Sequence, residues 1–376
     1  MNNTFSSSEQ QFLELFKVGL WGGTPDSKCF QHTDWEQVVR LAQQQTMTGV
    51  VGEAVMNLPE QLAPAEWRMR LLAAIVRIEE ANIKMNNFLP VLFRRLSKHG
   101  WNVWLLKGQG VGLCYPEPLR RQPGDIDVFF TRLQDYKDAC SFFKKNLPES
   151  DIMSESNKTM DFEFVVGSLY VEFHGQILTE VNRACHKHFD SWLQQVAKEP
   201  GMNTSAWDSV LLPPCHFDAI FIFLHTVRHY FGGGIGLRQV SDWMRYVYTY
   251  HEQLDMERLT HDIKHLGLEK IWKVFGCMAV DYLGCPESMM PLYDNRYHKE
   301  ATAVLRYILN SGNFGYYDAS TKTNSKSYLV QRWKAFTGHL QMKLRNFTMF
   351  PEESVYGIPS FLVDGISRAI NRPHKA

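Results

Sequence analysis

A chain of 376 residues, 44% hydrophobic and 13% aromatic, carries enough apolar side chains to fill sizeable cores, which excludes an intrinsically disordered protein. Forty basic and forty acidic residues cancel, so nothing global marks a binder of long nucleic acid or of anionic membranes. The seven cysteines are odd in number and scattered, with no CxxC pair to suggest a zinc or redox motif, a pattern that suits a reducing cytoplasm. The N-terminus lacks the basic start and apolar run of a signal peptide, and no segment approaches the roughly 20 apolar residues that span a bilayer. The expectation is a soluble cytoplasmic protein.

In chain order, residues 8 to 98 read as helices: "SSSEQQFLELFKVGLWG", then "TDWEQVVRLAQQQTM" with Thr33 or Asp34 as cap, then a long segment ending at His99 and Gly100. From Trp101 the period changes. "WNVWLL" reads as a strand, "GQGVGLCYP" as a loop entering a short helix, "DIDVFF" as a strand and "RLQDYKDACSFFKKN" as a helix. "MDFEFVVGSLYVEFHGQI" reads as two strands around a Val-Gly-Ser turn. After about residue 210 the helical period returns in "PPCHFDAIFIFLHTVRHYF", "GLRQVSDWMRYVYTYHEQ", "DMERLTHDIKHLG" and "LEKIWKVFGCMAVDYLG". Residues 311 to 327, rich in Gly, Ser, Thr and Asn, read as a flexible loop. The whole predicts an α+β protein in three parts: N-terminal helices (1–98), a small mixed α/β core (99–212) and a C-terminal helical domain (213–376).

The chemistry concentrates in the middle part. Side chains alternate along a strand, so Asp125 and Asp127 share one face of "DIDVFF", opposite Ile126, Val128 and Phe130. In "YVEFHG", Glu172 and His174 share a face opposite Val171 and Phe173. If these strands are neighbours, three carboxylates meet. Two like charges on one face are costly without a cation or a proton between them. Cα atoms two apart on a strand lie roughly 6.5 Å apart, close enough for their carboxylates to share one or two hard cations such as Mg2+ or Mn2+. Such ions serve phosphoryl and nucleotidyl transfer. The loop after the first strand adds Gly108, Gly110 and Gly112, which admit a phosphate close to backbone amides, while Lys107 and Arg121 add positive charge.

These segments resemble the nucleotidyltransferase fold, in particular a bacterial branch labelled uncharacterised nucleotidyltransferases. The resemblance rests on "LLKGQGVGLCYPEPLRRQPGDIDVFF", "YVEFHGQI" and "FLHTVRHYFGGGIGLRQVSDWMRYV", and covers about residues 80 to 260. It implies that Asp125, Asp127 and Glu172 bind metal, that Glu172 completes the site or acts as base, and that Gly108 holds phosphate through its backbone. Better characterised nucleotidyltransferases carry Gly-Ser in that loop, where this chain has Lys107-Gly108.

Each feature also has a plainer explanation. A lone Asp-x-Asp is often the solvated face of a strand, and Arg121 can simply pair with a carboxylate such as Asp125. His174 reads as a hydrogen-bonded neighbour of the carboxylates. His225 and His229, four apart on one helix face, have no HExxH glutamate and no evident third ligand, which favours packing or capping. Arg238 and Asp242 are also four apart and are expected to pair, either docking domains or bringing Arg238 to a triphosphate. The aromatic run "WMRYVYTY" lacks a basic stripe and reads as core.

The resulting expectation is metal-dependent transfer of a nucleoside monophosphate from an NTP to a hydroxyl of an unidentified acceptor, a small molecule or a protein, with release of pyrophosphate. Two other readings stay open: a catalytically silent nucleotide-binding or interaction module, and a metal-dependent phosphohydrolase that transfers to water.

Overall fold

A computed structural model of the chain describes residues 5–177, 181–315, 317, 344 and 346–356. It has an α+β fold. The N-terminal helices are α1 (Ser7–Trp21), α2 (Trp35–Gln44), α3 (Thr48–Met56) and α4 (Ala65–Lys98). Local signals start and stop them. Ser6 and Glu9 form a reciprocal capping box at the head of α1, and the Asp34 carboxylate accepts from the Gln37 amide at 3.1 Å to begin α2. The long α4 runs through Pro90 and ends at His99, with Gly100 at φ 73° just beyond, where the sequence puts the stop.

The central sheet contains β1 (Val103–Leu106), β2 (Ile126–Phe130), β3 (Ile152–Ser156), β4 (Asp161–Val166) and β5 (Leu169–His174), in the order β1-β2-β5-β4-β3. The pair β2–β5 is parallel and the other pairs are antiparallel. The short helix α5 (Gly108–Gly112) follows β1, and α6 (Leu133–Asn146) follows β2. Alternation divides the sheet by chemistry. One face carries Val103, Leu105, Ile126, Val128, Phe130, Phe162, Phe164, Val171 and Phe173, which pack with Leu92, Phe93 and Leu96 of α4 and with Ala139 and Phe143 of α6. The other face carries Trp104, Leu106 and Phe129, together with Asp127, Glu172 and His174. Burial of the aromatic face therefore fixes the register that turns the carboxylates the opposite way.

Past the sheet come α7 (Arg183–Val196), a two-stranded hairpin of β6 (Met202–Thr204) and β7 (Trp207–Leu212), and α8 (Cys215–Gly232), α9 (Leu237–Thr249), α10 (Met256–His265), α11 (Glu269–Asp281) and α12 (His298–Ser311). Of these α8 lies over the polar face of the sheet, where Phe217 packs on Trp104 with ring centroids 5.3 Å apart. Trp243, Met244, Tyr246 and Val247 of α9 are buried, as expected of core. The N-terminal helices share one apolar core with the C-terminal ones, and the buried Gln45 side chain ties α2 to both α9 and α12. The stretch 311–327 falls largely outside the described residues. Its described start closes α12 at Gly312 and makes one short turn, Asn313–Gly315.

Candidate active site

The parallel register of β2 and β5 sets Asp127 directly beside Glu172 and Phe129 beside His174. Asp127 is buried, and its Oδ1 takes two partners: His174 Nε2 at 2.9 Å and Lys107 Nζ at 3.1 Å. His174 Nδ1 meets Asp161 Oδ1 at 2.9 Å, and Glu172 Oε2 lies 3.7 Å from His174 Nε2. Asp161 is a member of the cluster that motif reasoning missed. The signal was present: counting outward from the tight turn of the β4–β5 hairpin puts Asp161 opposite His174.

Asp125 sits elsewhere than expected. It precedes the first residue of β2, so it is not on the strand, and it is exposed at the mouth of the cleft that Asp127 and Glu172 line more deeply. Partial desolvation and the neighbouring Asp127 charge raise its pKa. For Asp127 burial pulls upward, but Lys107 and His174 outweigh it and hold the carboxyl down at about 2. Burial also opposes a charged His174, yet hydrogen bonds to Asp127 and Asp161 win and lift the imidazole to about 9. Glu172 is left over: burial raises it to about 7, against the counteracting pull of His174.

Lys107 reaches the cluster from a strained position. It stands at φ 48° and ψ −139°, a conformation that disfavours any residue with a Cβ and costs about 1–3 kcal/mol. Gly108 follows at φ 43°, and a Cβ there would lie 3.3 Å from the Asp125 carbonyl oxygen. Lys107 and Gly108 both line the cleft. Gly110 has a different job from the phosphate contact expected of it. A Cβ at that position would meet Leu212 Cδ2 at 2.9 Å, so this glycine lets α5 dock against β7.

The expected pairing of Arg238 with Asp242 is corrected. Asp242 is taken by Arg121, whose Nε and Nη2 each donate at 2.7 Å, and Tyr115 donates its hydroxyl to the same carboxylate at 2.7 Å. Arg121 also does not pair with Asp125. The turn through Pro118–Arg120 carries it inward from the cleft floor toward α9, and it is 5% exposed. Arg238 instead donates from Nη1 to the carbonyls of Gln122 and Pro123, both at 3.1 Å, bracing the loop that leads to Asp125. Its Nε is buried and has no hydrogen-bond partner among the described residues.

The cleft between sheet and helices has a volume of about 410 Å³, and a smaller recess of about 190 Å³ adjoins it through Lys107, Glu172, His225 and His229. His225 and His229 both face it from α8, with ring centroids 4.4 Å apart. Burial, reinforced by Lys107, pushes His225 well below its ordinary value and His229 down to about 4, so both rings are neutral. The wall opposite the carboxylates is thus lined by neutral imidazoles and by Arg228 and Arg238.

The donor chemistry fits a hard divalent cation. Ligand atoms from Asp127, Glu172 and His174 lie within 4.8 Å of one another, and Asp125 adds a further carboxylate along the same cleft. Four carboxylates, with Asp161 included, gather around Lys107 and His174, and Arg228 and Arg238 stand across the cleft from them. Asp125 is left without an ion-pair partner among the described residues.

A sheet with this acidic patch on one face, covered by helices that carry arginine, belongs to a recognisable class. Residues 31–284, about two thirds of the chain, match the family model described as uncharacterised nucleotidyltransferase, and the chain belongs to that family of transferases. A comparison with curated proteins found no match, nor did one with solved structures. No helix among the described residues is long and apolar enough to cross a membrane.

Proposed function

We propose that the protein transfers a nucleoside monophosphate from an NTP to a hydroxyl of an acceptor, releasing pyrophosphate, with Mg2+ or Mn2+ bound by Asp125 and Asp127 and with Glu172 beside them as base. The observation that carries this reading is the in-register pairing of Asp127 with Glu172 on the cleft side of the sheet. A bound divalent cation would neutralise the phosphates and stabilise the departing pyrophosphate. The chain's own groups do the rest. Lys107, Arg238 and the Gly108 amide hold the phosphates. Arg121 acts at one remove, through Asp242 and Tyr115, by fixing the loop behind Asp125. Glu172, raised to about 7, takes the proton of the attacking hydroxyl, a role that works best when the base titrates near the working pH. The acceptor oxygen bonds to the α-phosphorus as the bond from that phosphorus to the bridging oxygen breaks. We assign the sheet segment 99–212 to this chemistry and the helices of 213–376 to covering it. Zero net charge and the limited cleft volume favour a small acceptor or a protein side chain over a long nucleic acid. Seven free thiols suit a reducing cytoplasm.

Product analysis tests the proposal. With NTP labelled at the α-phosphate, Mg2+ and a mixed pool of acceptors, the label should enter an adduct in step with pyrophosphate. Label appearing only in free nucleotide would convert the reading to a phosphohydrolase. One observation favours a second reading, a silent nucleotide-binding module: Lys107 and His174 already satisfy Asp127 Oδ1 from within the chain. That reading predicts NTP binding without either product.

A further inference from the structure

Cys277 and Asp281 are four residues apart on α11, so their side chains stack on one helix face. The neighbouring α12 begins at His298 and brings an imidazole to that face. Cys277 Sγ lies 3.3 Å from Asp281 Oδ2, and His298 Nδ1 bonds to the same oxygen. Sulfur, carboxylate oxygen and ring nitrogen all lie within 4.8 Å of one another.

Two of the three groups are also held from behind. Tyr293 donates its hydroxyl to the other carboxylate oxygen of Asp281 at 2.9 Å. Tyr282 bonds the far ring nitrogen of His298 at 3.0 Å and is itself tied to Thr302. An imidazole with one nitrogen turned into a cluster and the other fixed by an outer partner is the arrangement that metal-ligating histidines show. A surface ion pair between Asp281 and His298 needs neither that support nor a thiol at its base. Cys277 is fully buried while Asp281 and His298 are exposed, so the cluster opens to solvent on one side only.

We infer that Cys277, Asp281 and His298 form a binding site for a thiophilic divalent transition metal, Zn2+ foremost, which staples α11 to α12. A thiolate, an imidazole and a carboxylate are a zinc donor set, and the thiolate disfavours Mg2+ and Ca2+. On binding, the Cys277 thiol releases its proton to solvent, its sulfur bonds to the ion, and a water fills the fourth position. The inference is independent of the cleft, whose cluster contains no sulfur.

Cobalt titration reads the site directly, because a cobalt–thiolate bond gives a charge-transfer band in the near ultraviolet. The intact chain should show that band saturating at one equivalent and vanishing on addition of Zn2+. It should be lost in Cys277→Ser and strongly weakened in His298→Gln, an exposed position where misfolding is not a concern. Tyr282→Phe should weaken cobalt binding about tenfold by freeing the imidazole. Asp127→Asn should leave the band unchanged. Absence of the band in the parent protein overturns the inference, as does a band that survives Cys277→Ser or is undiminished in His298→Gln.

Discussion

Two charge networks line the cleft, one buried and one half-open to it, and they differ in what they leave unpaired. In the Arg121–Asp242–Tyr115 brace one cation meets one anion in a two-pronged contact, and a hydroxyl fills a further lone pair. Nothing remains to attract a ligand. In the Asp127 cluster Lys107 and His174 share one carboxylate oxygen, Glu172 has only a long contact of 3.7 Å to the same His174, and Asp125 has no ion-pair partner among the described residues. The brace uses ionised groups to fix a loop; the cluster leaves a carboxylate open toward a cleft. Similar side chains thus serve structure where the charges close and chemistry where they do not.

That contrast is open to attack by mutation, and the largest expected effects are catalytic. Glu172→Gln should lower the rate of nucleotidyl transfer by about 10²–10⁴-fold while leaving the fold no less stable at neutral pH, because the variant has no buried carboxylate to ionise, measured by adduct formation and by urea unfolding. Next comes the brace. Arg121→Ala or Asp242→Ala should each cost about 3–5 kcal/mol in urea unfolding, because the partner is left charged and buried. The paired change Arg121→Met with Asp242→Leu should recover most of that stability. If the single variants unfold like the parent, the brace is not a closed structural element.

Titration provides a finer test, with opposite signs for two neighbours. His174 is raised from 6.5 to about 9, so its contribution to stability is fully present below pH 6.5 and lost as pH rises through 9. Glu172 is an acid raised from 4.5 to about 7, so ionising it removes stability as pH climbs from 4.5 through 7. His174→Gln should therefore flatten the stability profile in the upper window, and Glu172→Gln in the lower one. The smallest effect belongs to the exposed pair Arg70–Glu66 on α4, where Arg70→Ala should change unfolding free energy by about 0.5 kcal/mol or less.

The sequence made some of this legible for definite reasons. Strict alternation in "DIDVFF" and "YVEFHG" was enough to give the inward aromatic face and the outward polar one, because burial of Phe130 and Phe173 leaves only one register. It did not reveal that Asp125 stops short of β2, since an alternating pattern does not mark where pairing begins. The edge strand β3, "IMSES", shows no alternation because it has little face to bury. Arg121 and Asp242 are far apart in the chain and found each other only through the packing of α9 beneath the loop. Spacing along one helix suggested Arg238 for Asp242, but a second donor from another element made the better fork. Cys277 and His298 match no metal motif because the connection between α11 and α12 sets their spacing.

The most direct test of the central claim is a thermal-shift comparison of the parent protein and Asp127→Asn with each NTP, in the presence of Mg2+, Mn2+ or a chelator. Ligand at a hundredfold excess over its Kd stabilises a folded protein by about 2.7 kcal/mol. We predict a shift of that order in the parent with at least one NTP, dependent on the divalent ion and lost in Asp127→Asn. An equal shift in both proteins, or none with any NTP, would contradict the assignment of the Asp127–Glu172 cleft as a metal–nucleotide site.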